Sequence, residues 1–176
     1  MANTVNQFNM EVVDLADGKV SQDSYKGDGS TTFAKGDLVR ITTSGTIVDA
    51  DTTDATPGSV HGMVLNDWTT APTTSQFVPI MEFGPNTVLK TQIYAATGSD
   101  AAQEDVSIGS TYTIANPSAG IWNMTTTTTN GVATVVGKKC DTRWFESGAS
   151  DVWGEVYIKF GTPATGVPIS SSRSAA

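Results

Sequence analysis

The stretch from Gly36 to Gly84 is written twice in this chain, and that duplication constrains the fold more than any other feature. Lys35-Gly36-Asp37-Leu38-Val39-Arg40-Ile41 is answered by Ile108-Gly109-Ser110-Thr111-Tyr112-Thr113-Ile114. Later landmarks recur in the same order. Gly36 returns as Gly109 at an offset of 73 residues, Gly45 as Gly120 and Gly62 as Gly137 at 75, Trp68 as Trp144 at 76, and Phe83-Gly84 as Phe160-Gly161 at 77. Pro57-Gly58 and Asn130-Gly131, also 73 apart, each stand just ahead of the apolar stretch that carries Gly62 or Gly137. With 17 glycines in 176 residues a single glycine match is cheap, so the weight rests on the ordered series and on the Trp and Phe-Gly matches.

Strand signals fill both copies. Asp37–Thr42, Thr46–Asp49, Ser59–Asn66, Gln76–Phe83 and Thr87–Ala95 are rich in β-branched residues and separated by Gly-, Pro- and Asp-bearing turns. The second copy follows as Val106–Asn116, Gly120–Thr128, Val132–Lys139 and Val152–Phe160, with Thr125–Thr129 and Asn130-Gly131 reading as a twisted hairpin. Gly98–Asp105 is the one helical expectation, capped by Asp100 with Gln103 reaching back. The fold class is therefore all-β, with two similar small barrels or meanders over residues 31–98 and 99–160. The short connection between Ala95 and Val106 favours close packing of the two.

Residues 1–30 read as an extended N-terminal arm. Phe8, Met10 and Val12 alternate with Asn9 and Glu11, giving a strand with one apolar edge that needs a partner. Residues 161–176, rich in Gly, Pro, Ser and Ala, have too little apolar surface to fold alone and read as a flexible tail.

Charge and cysteine usage narrow the function classes. A net charge of −8, with ten basic residues scattered singly, argues against nucleic acid or anionic membrane as a partner, because phosphate contact needs clustered Lys and Arg. No apolar run approaches a membrane span, and Met-Ala-Asn-Thr-Val-Asn-Gln lacks the regions of a signal peptide, so cytoplasmic synthesis is expected. The single Cys140 allows neither an internal disulfide nor a cysteine zinc cluster.

The residues that could carry chemistry fit it poorly. Asp49, Asp51 and Asp54 with Asp67 hint at calcium, but counting from Asp49 an EF-type loop would need an oxygen ligand and then glycine where Thr53 and Asp54 stand. Asp100, Glu104 and Asp105 read likewise as turn acids. His61 is the only histidine, no Gly-x-Ser-x-Gly occurs, and Cys140 beside Lys138 and Lys139 has no histidine near it in sequence. Carboxylate pairs such as Glu146 with Asp151, or Asp151 with Glu155, are unavoidable among 18 acids. No catalytic residue, cofactor or metal is assigned, and the chain is read as a non-enzyme. Trp68, Trp122, Trp144 and Trp153 could stack on sugar rings or anchor an interface, yet two of them occupy matching repeat positions, which favours a shared core role.

Phe33-Ala34-Lys35-Gly36-Asp37-Leu38-Val39-Arg40, with Gly45–Ala50 and His61-Gly62-Met63-Val64-Leu65, resembles the head decoration, or cement, proteins of tailed bacteriophages. Ile108–Ile114 and Gly154–Phe160 are similar in style, so the resemblance spans roughly residues 33–160. It implies β-barrel or β-tulip units assembled as homotrimers on the outer face of a capsid, where they clamp neighbouring major capsid protein subunits. The implied location is the virion surface, after synthesis in the host cytoplasm. On that reading the arm would add to a coat-protein sheet edge, with Phe8, Met10 and Val12 as its capsid-interface anchors. The alternative is a carbohydrate-binding β-module of a phage fibre or cell-surface protein, using Trp68 or Trp144 as a platform.

Overall fold

The computed structural model describes residues 9–50, 60–94, 105–118, 120–138 and 154–161. These residues form an all-β molecule of two curled, nearly closed sheets, one for each copy of the repeat. The chain enters through β1 (Glu11–Asp14), which belongs to the second sheet. It then lays down the first sheet with β2 (Lys19–Ser21), β3 (Lys26–Gly27), β4 (Leu38–Ile41), β5 (Thr46–Asp49), β6 (Gly62–Val64) and β7 (Ile80–Glu82). Their spatial order is β2-β7-β6-β4-β5-β3.

The second sheet is built from β8 (Val88–Tyr94), β9 (Thr111–Tyr112), β10 (Ile114–Ser118), β11 (Ile121–Thr125), β12 (Ala133–Lys138) and β13 (Glu155–Phe160). β8 does two jobs there. Its residues Leu89–Gln92 pair antiparallel with β13, and Ile93 and Tyr94 pair parallel with β11, so one strand closes the ring. In the first sheet the same closure is shared by two short pieces of one stretch, β2 antiparallel to β7 and β3 parallel to β5. The structural repeat therefore begins with a leading strand that the sequence match, starting at Gly36, did not include.

Hydrogen bonds fix the correspondence residue by residue. Asp37 N donates to Ala34 O across Gly36 (φ 97°), and Ser110 N donates to Ser107 O across Gly109 (φ 86°), so the same type II turn opens each unit. Only glycine takes that φ cheaply. Val39 pairs with Gly62 on one edge and Asp49 on the other, whereas in the second unit Tyr112 pairs with Ala133 and Ile114 with Met124. Two residues are thus spent where one strand served before. The drift from an offset of 73 (Gly36 to Gly109) to 75 (Gly45 to Gly120) is located at Thr113, which leaves the ladder and bonds to Thr125 and Thr127 instead.

Two matches made from sequence are corrected by this register. Gly62 corresponds to Ala133, not Gly137, because Gly62 pairs with Val39 and Glu82 as Ala133 pairs with Tyr112 and Phe160. Gly137 sits instead at a bulge where β12 slips against β13. By the same ladders Phe160 corresponds to Glu82 rather than Phe83. The expected hairpin at Asn130-Gly131 is also replaced. Asn130 does turn the chain with φ 59°, but β11 pairs with β10 and β8 while β12 pairs with β9 and β13, so the connection arches over the split strand.

The expected boundaries shift accordingly. β8 lies in the second sheet although residues up to 98 were expected in the first unit, and the expected arm contributes three short strands, β1, β2 and β3, to the two sheets. The larger core crosses the seam, joining Leu38, Val60 and Phe83 of the first unit to Leu89, Trp122, Ile158 and Phe160 of the second. A smaller core, including Tyr25, Phe33, Ile47 and Ile80, fills the first barrel alone. The helical expectation at 98–105 and the tail at 162–176 fall outside the described residues, except for Asp105.

A candidate site in the cleft between the barrels

The seam is held by one carboxylate. Asp37 is 5% exposed, and its Oδ1 accepts from Gly120 N at 2.9 Å and from Trp122 Nε1 at 3.1 Å while Oδ2 accepts from Ala34 N at 2.6 Å. The first unit's opening turn is thereby plugged into the second unit's β10–β11 turn. Asn9 completes the joint: its Oδ1 accepts from Trp122 N at 2.8 Å and its Nδ2 donates to Gly36 O at 3.0 Å. A β-carbon on Gly120 would meet the Lys35 carbonyl oxygen, so the close approach of the two turns itself requires glycine.

Beside this joint lies a cleft of about 410 Å³, lined by Thr31, Arg40, Val48, Asp49 and Ala50 from the first unit and Asn116 and Trp122 from the second. That volume is at the small end of the range for sites that hold a small molecule. Asp49 Oδ1 is buried there with no hydrogen-bond partner. Burial, then the like charges of Asp37 and Asp28, push the Asp49 carboxyl up to about 6. Arg40 shares the wall, and no ion pair joins it to Asp49. Asp28 behaves oppositely. Its partial burial pushes up, but hydrogen bonds from Ser30 and Thr31, through both backbone and hydroxyl groups, outweigh it and hold the carboxyl below its ordinary range.

The second barrel serves as an internal control for what the fold requires. At the register position of Asp49 it has the fully buried Met124, at that of Arg40 it has Ala115, and at that of Asp37 it has Ser110. The fold is thus satisfied by small or apolar residues at these positions, and the first unit alone places charge there. Asp37 is accounted for by the seam. Asp49 has no such structural return, and a local choice that opposes the fold marks a candidate functional position.

The residues singled out from sequence fall elsewhere. Met10 is 3% exposed and sits in the larger core, with its N–H bonded to Trp122 O at 3.2 Å. Val12 pairs with Leu89 and packs against the same core, and Phe8 lies outside the described residues. The alternation overlaps a strand only at Glu11 and Val12, where β1 pairs with β8 of the same chain, and Met10 stands ahead of it against Trp122. Trp122 is buried in the seam, and half-buried Trp68 bridges to Phe33; Trp144 and Trp153 lie outside the described residues. His61 accepts from Ile41 N at 3.3 Å, and Asp67 accepts from Lys35 N at 2.8 Å. Asp51, Asp54, Asp100, Glu104, Cys140, Glu146 and Asp151 are outside the described residues. Among those described, no group of three potential ligands converges on a metal position.

Sequence reading missed Asp37, Arg40 and Trp122 as a group. The signal was present in the offsets, since Asp37 faces Ser110 at 73 and Arg40 and Asp49 face Ala115 and Met124 at 75. Comparison with family models, curated proteins and solved structures finds no match to this chain.

Proposed function

We propose that this protein is a virion structural protein that decorates and stabilises the outer surface of a phage capsid by clamping neighbouring major capsid protein subunits. The observation that carries the reading is the fusion of two barrels of like topology through one shared core. A body of that kind is stiff, and it offers two related but non-identical flanks to a lattice of repeated coat subunits. A clamp that touches two or three subunits makes their separation cost the combined contact energy, so each contact can be modest. Exposed apolar side chains occur on both halves, among them Val20 and Phe77 on the first and Ile108 and Val136 on the second. The acidic balance of −8 keeps the free protein soluble and away from packaged DNA.

In this proposal the major capsid protein is the partner, the working form is a homotrimer, and the location is the capsid surface. The contact is not made by peeling off β1, because Met10 and Val12 are already committed to the core. Immunogold electron microscopy of particles from the source culture, with antibody against this chain, is the test. Label over particle heads is expected. Label confined to tails or fibres would replace the clamp with an adhesion role and bring back the carbohydrate reading, and label on cells alone would sink the viral assignment.

A further inference from the structure

We infer that the cleft between the barrels is a receptor for one basic side chain, an arginine or lysine borne by a protein partner. The inference goes beyond the capsid reading and does not require it. Three observations converge on it. The cavity has room for a long side chain and is open between elements of two different sheets. One carboxylate oxygen, Asp49 Oδ1, is buried in its wall with no hydrogen-bond partner. The equivalent position in the second barrel is a buried methionine, so the charge is a property of this cleft and not of the fold.

Electrostatics selects the sign of the occupant. The charged groups that face Asp49 are Asp28 and Asp37, from the segment ahead of β4, and Arg40, which lines the cleft from β4 itself. Burial first, and then the like charges of Asp37 and Asp28, displace the Asp49 carboxyl upward, so both acids add negative potential at this wall. A guanidinium or ammonium entering the cleft would pair with the Asp49 carboxylate that lines it and would favour the charged form over the protonated one. Val48, Ala50 and Trp122 supply apolar wall for the methylene stem, the arrangement in which long basic side chains pack best. Asn116 of the second barrel also lines the cleft.

The test uses the full chain and three blocked amino acids: N-acetyl-arginine methylamide, its lysine analogue and the uncharged norleucine analogue. Binding is followed by NMR while the Asp49 carboxyl is titrated. The arginine and lysine probes should saturate, displace the Asp49 midpoint downward by about a unit or more, and bind about tenfold more weakly once pH falls well below 6. Asp49→Asn keeps the shape and should lose about tenfold in affinity, whereas Arg40→Gln should bind the basic probes at least as well. Equal binding of the norleucine analogue would make the cleft merely apolar and overturn the inference. So would undiminished binding to Asp49→Asn. Saturation by N-acetyl-glutamate methylamide, abolished by Arg40→Gln, would reverse the sign of the ligand and overturn it too. Thermal unfolding of each variant separates loss of the site from loss of the fold.

Discussion

The rings of Phe83 and Phe160 stack across the seam with centroids 5.7 Å apart and planes inclined by 10°. One ring follows the last strand of the first barrel and the other ends the last strand of the second. Both are about 3% exposed and belong to the core that spans the two units. Truncating either to alanine should cost about 3–5 kcal/mol, and the double variant should fall short of the sum by about 1 kcal/mol. Urea unfolding followed by both fluorescence and circular dichroism should show one coincident transition. Two separated transitions would mean that the barrels fold as independent beads.

Asp37 makes a sharper probe of the seam, because three donors depend on it. Asp37→Ala strands Gly120 N, Trp122 Nε1 and Ala34 N in a buried site, at an expected cost of about 3–5 kcal/mol. Asp37→Asn should cost less, about 1–3 kcal/mol, since its amide oxygen can still serve one side of the joint. The Trp122 indole N–H resonance in a proton NMR spectrum reports the bond directly, and an unmoved resonance in Asp37→Asn would show that the joint does not depend on the carboxylate.

The Asp49 carboxyl, raised from 3.8 to about 6, makes stability depend on pH in a definite direction. The folded protein holds this proton more tightly than the unfolded chain, so the group's contribution is fully present below the unfolded value of 3.8. It is lost as pH rises through 6. Asp49→Asn should therefore raise the Tm relative to the parent at about pH 7.5 and leave little difference near pH 3.5. Asp28 has the opposite sign: its depressed carboxyl stabilises the fold above the ordinary range and ceases to do so as pH falls below it. Asp28→Asn should accordingly lower the Tm at neutral pH and matter least in acid. A Tm that does not change between Asp49→Asn and the parent across this range would contradict the burial of that oxygen.

Gly62 and Ala133 occupy the same register position in the two barrels but face different neighbours. A β-carbon on Gly62 would strike the Met81 carbonyl oxygen, part of a backbone that cannot step aside. Gly62→Ala should destabilise by about 2 kcal/mol or more, while Ala133→Gly should cost about 1 kcal/mol through backbone entropy and lost packing. Paired chemical denaturation curves decide the order, and a milder effect at Gly62 would show that β6 and β7 can spread.

Much of the architecture was legible because turns announce themselves. Thr46–Asp49 was read to the residue as a strand, and the matched turn glycines share positive φ in pairs, Gly36 with Gly109 and Gly45 with Gly120. What misled was identity without environment. Gly62 and Gly137 look equivalent in letters, yet one permits a close backbone approach and the other sits at a bulge, and period-2 patterning cannot tell these uses apart. The alternation at Phe8–Val12 likewise reached only the first two residues of β1 and did not name the partner, since an apolar edge is equally content with β8 of its own chain or with a foreign sheet. The cleft was hidden for a different reason. Its carboxylate becomes unusual only when Asp49 is set beside Met124, a comparison that needs the ladder as well as the repeat.

The placement of β1 governs how the chain is born. Glu11 and Val12 leave the ribosome early, but their partners Lys90 and Leu89 follow only after the whole first barrel has been translated. The far edge of β8 then waits for Glu155–Ile158. No vectorial, barrel-by-barrel folding can complete either the entry strand or the shared core. The nascent protein must hold its first strand in reserve until Leu89 and Lys90 have emerged, and Met10 waits further for Trp122. The period of greatest aggregation risk therefore falls during synthesis, and a slower ribosome or a shortage of chaperones should lower the yield of this protein before any change in the stability of its finished fold is felt.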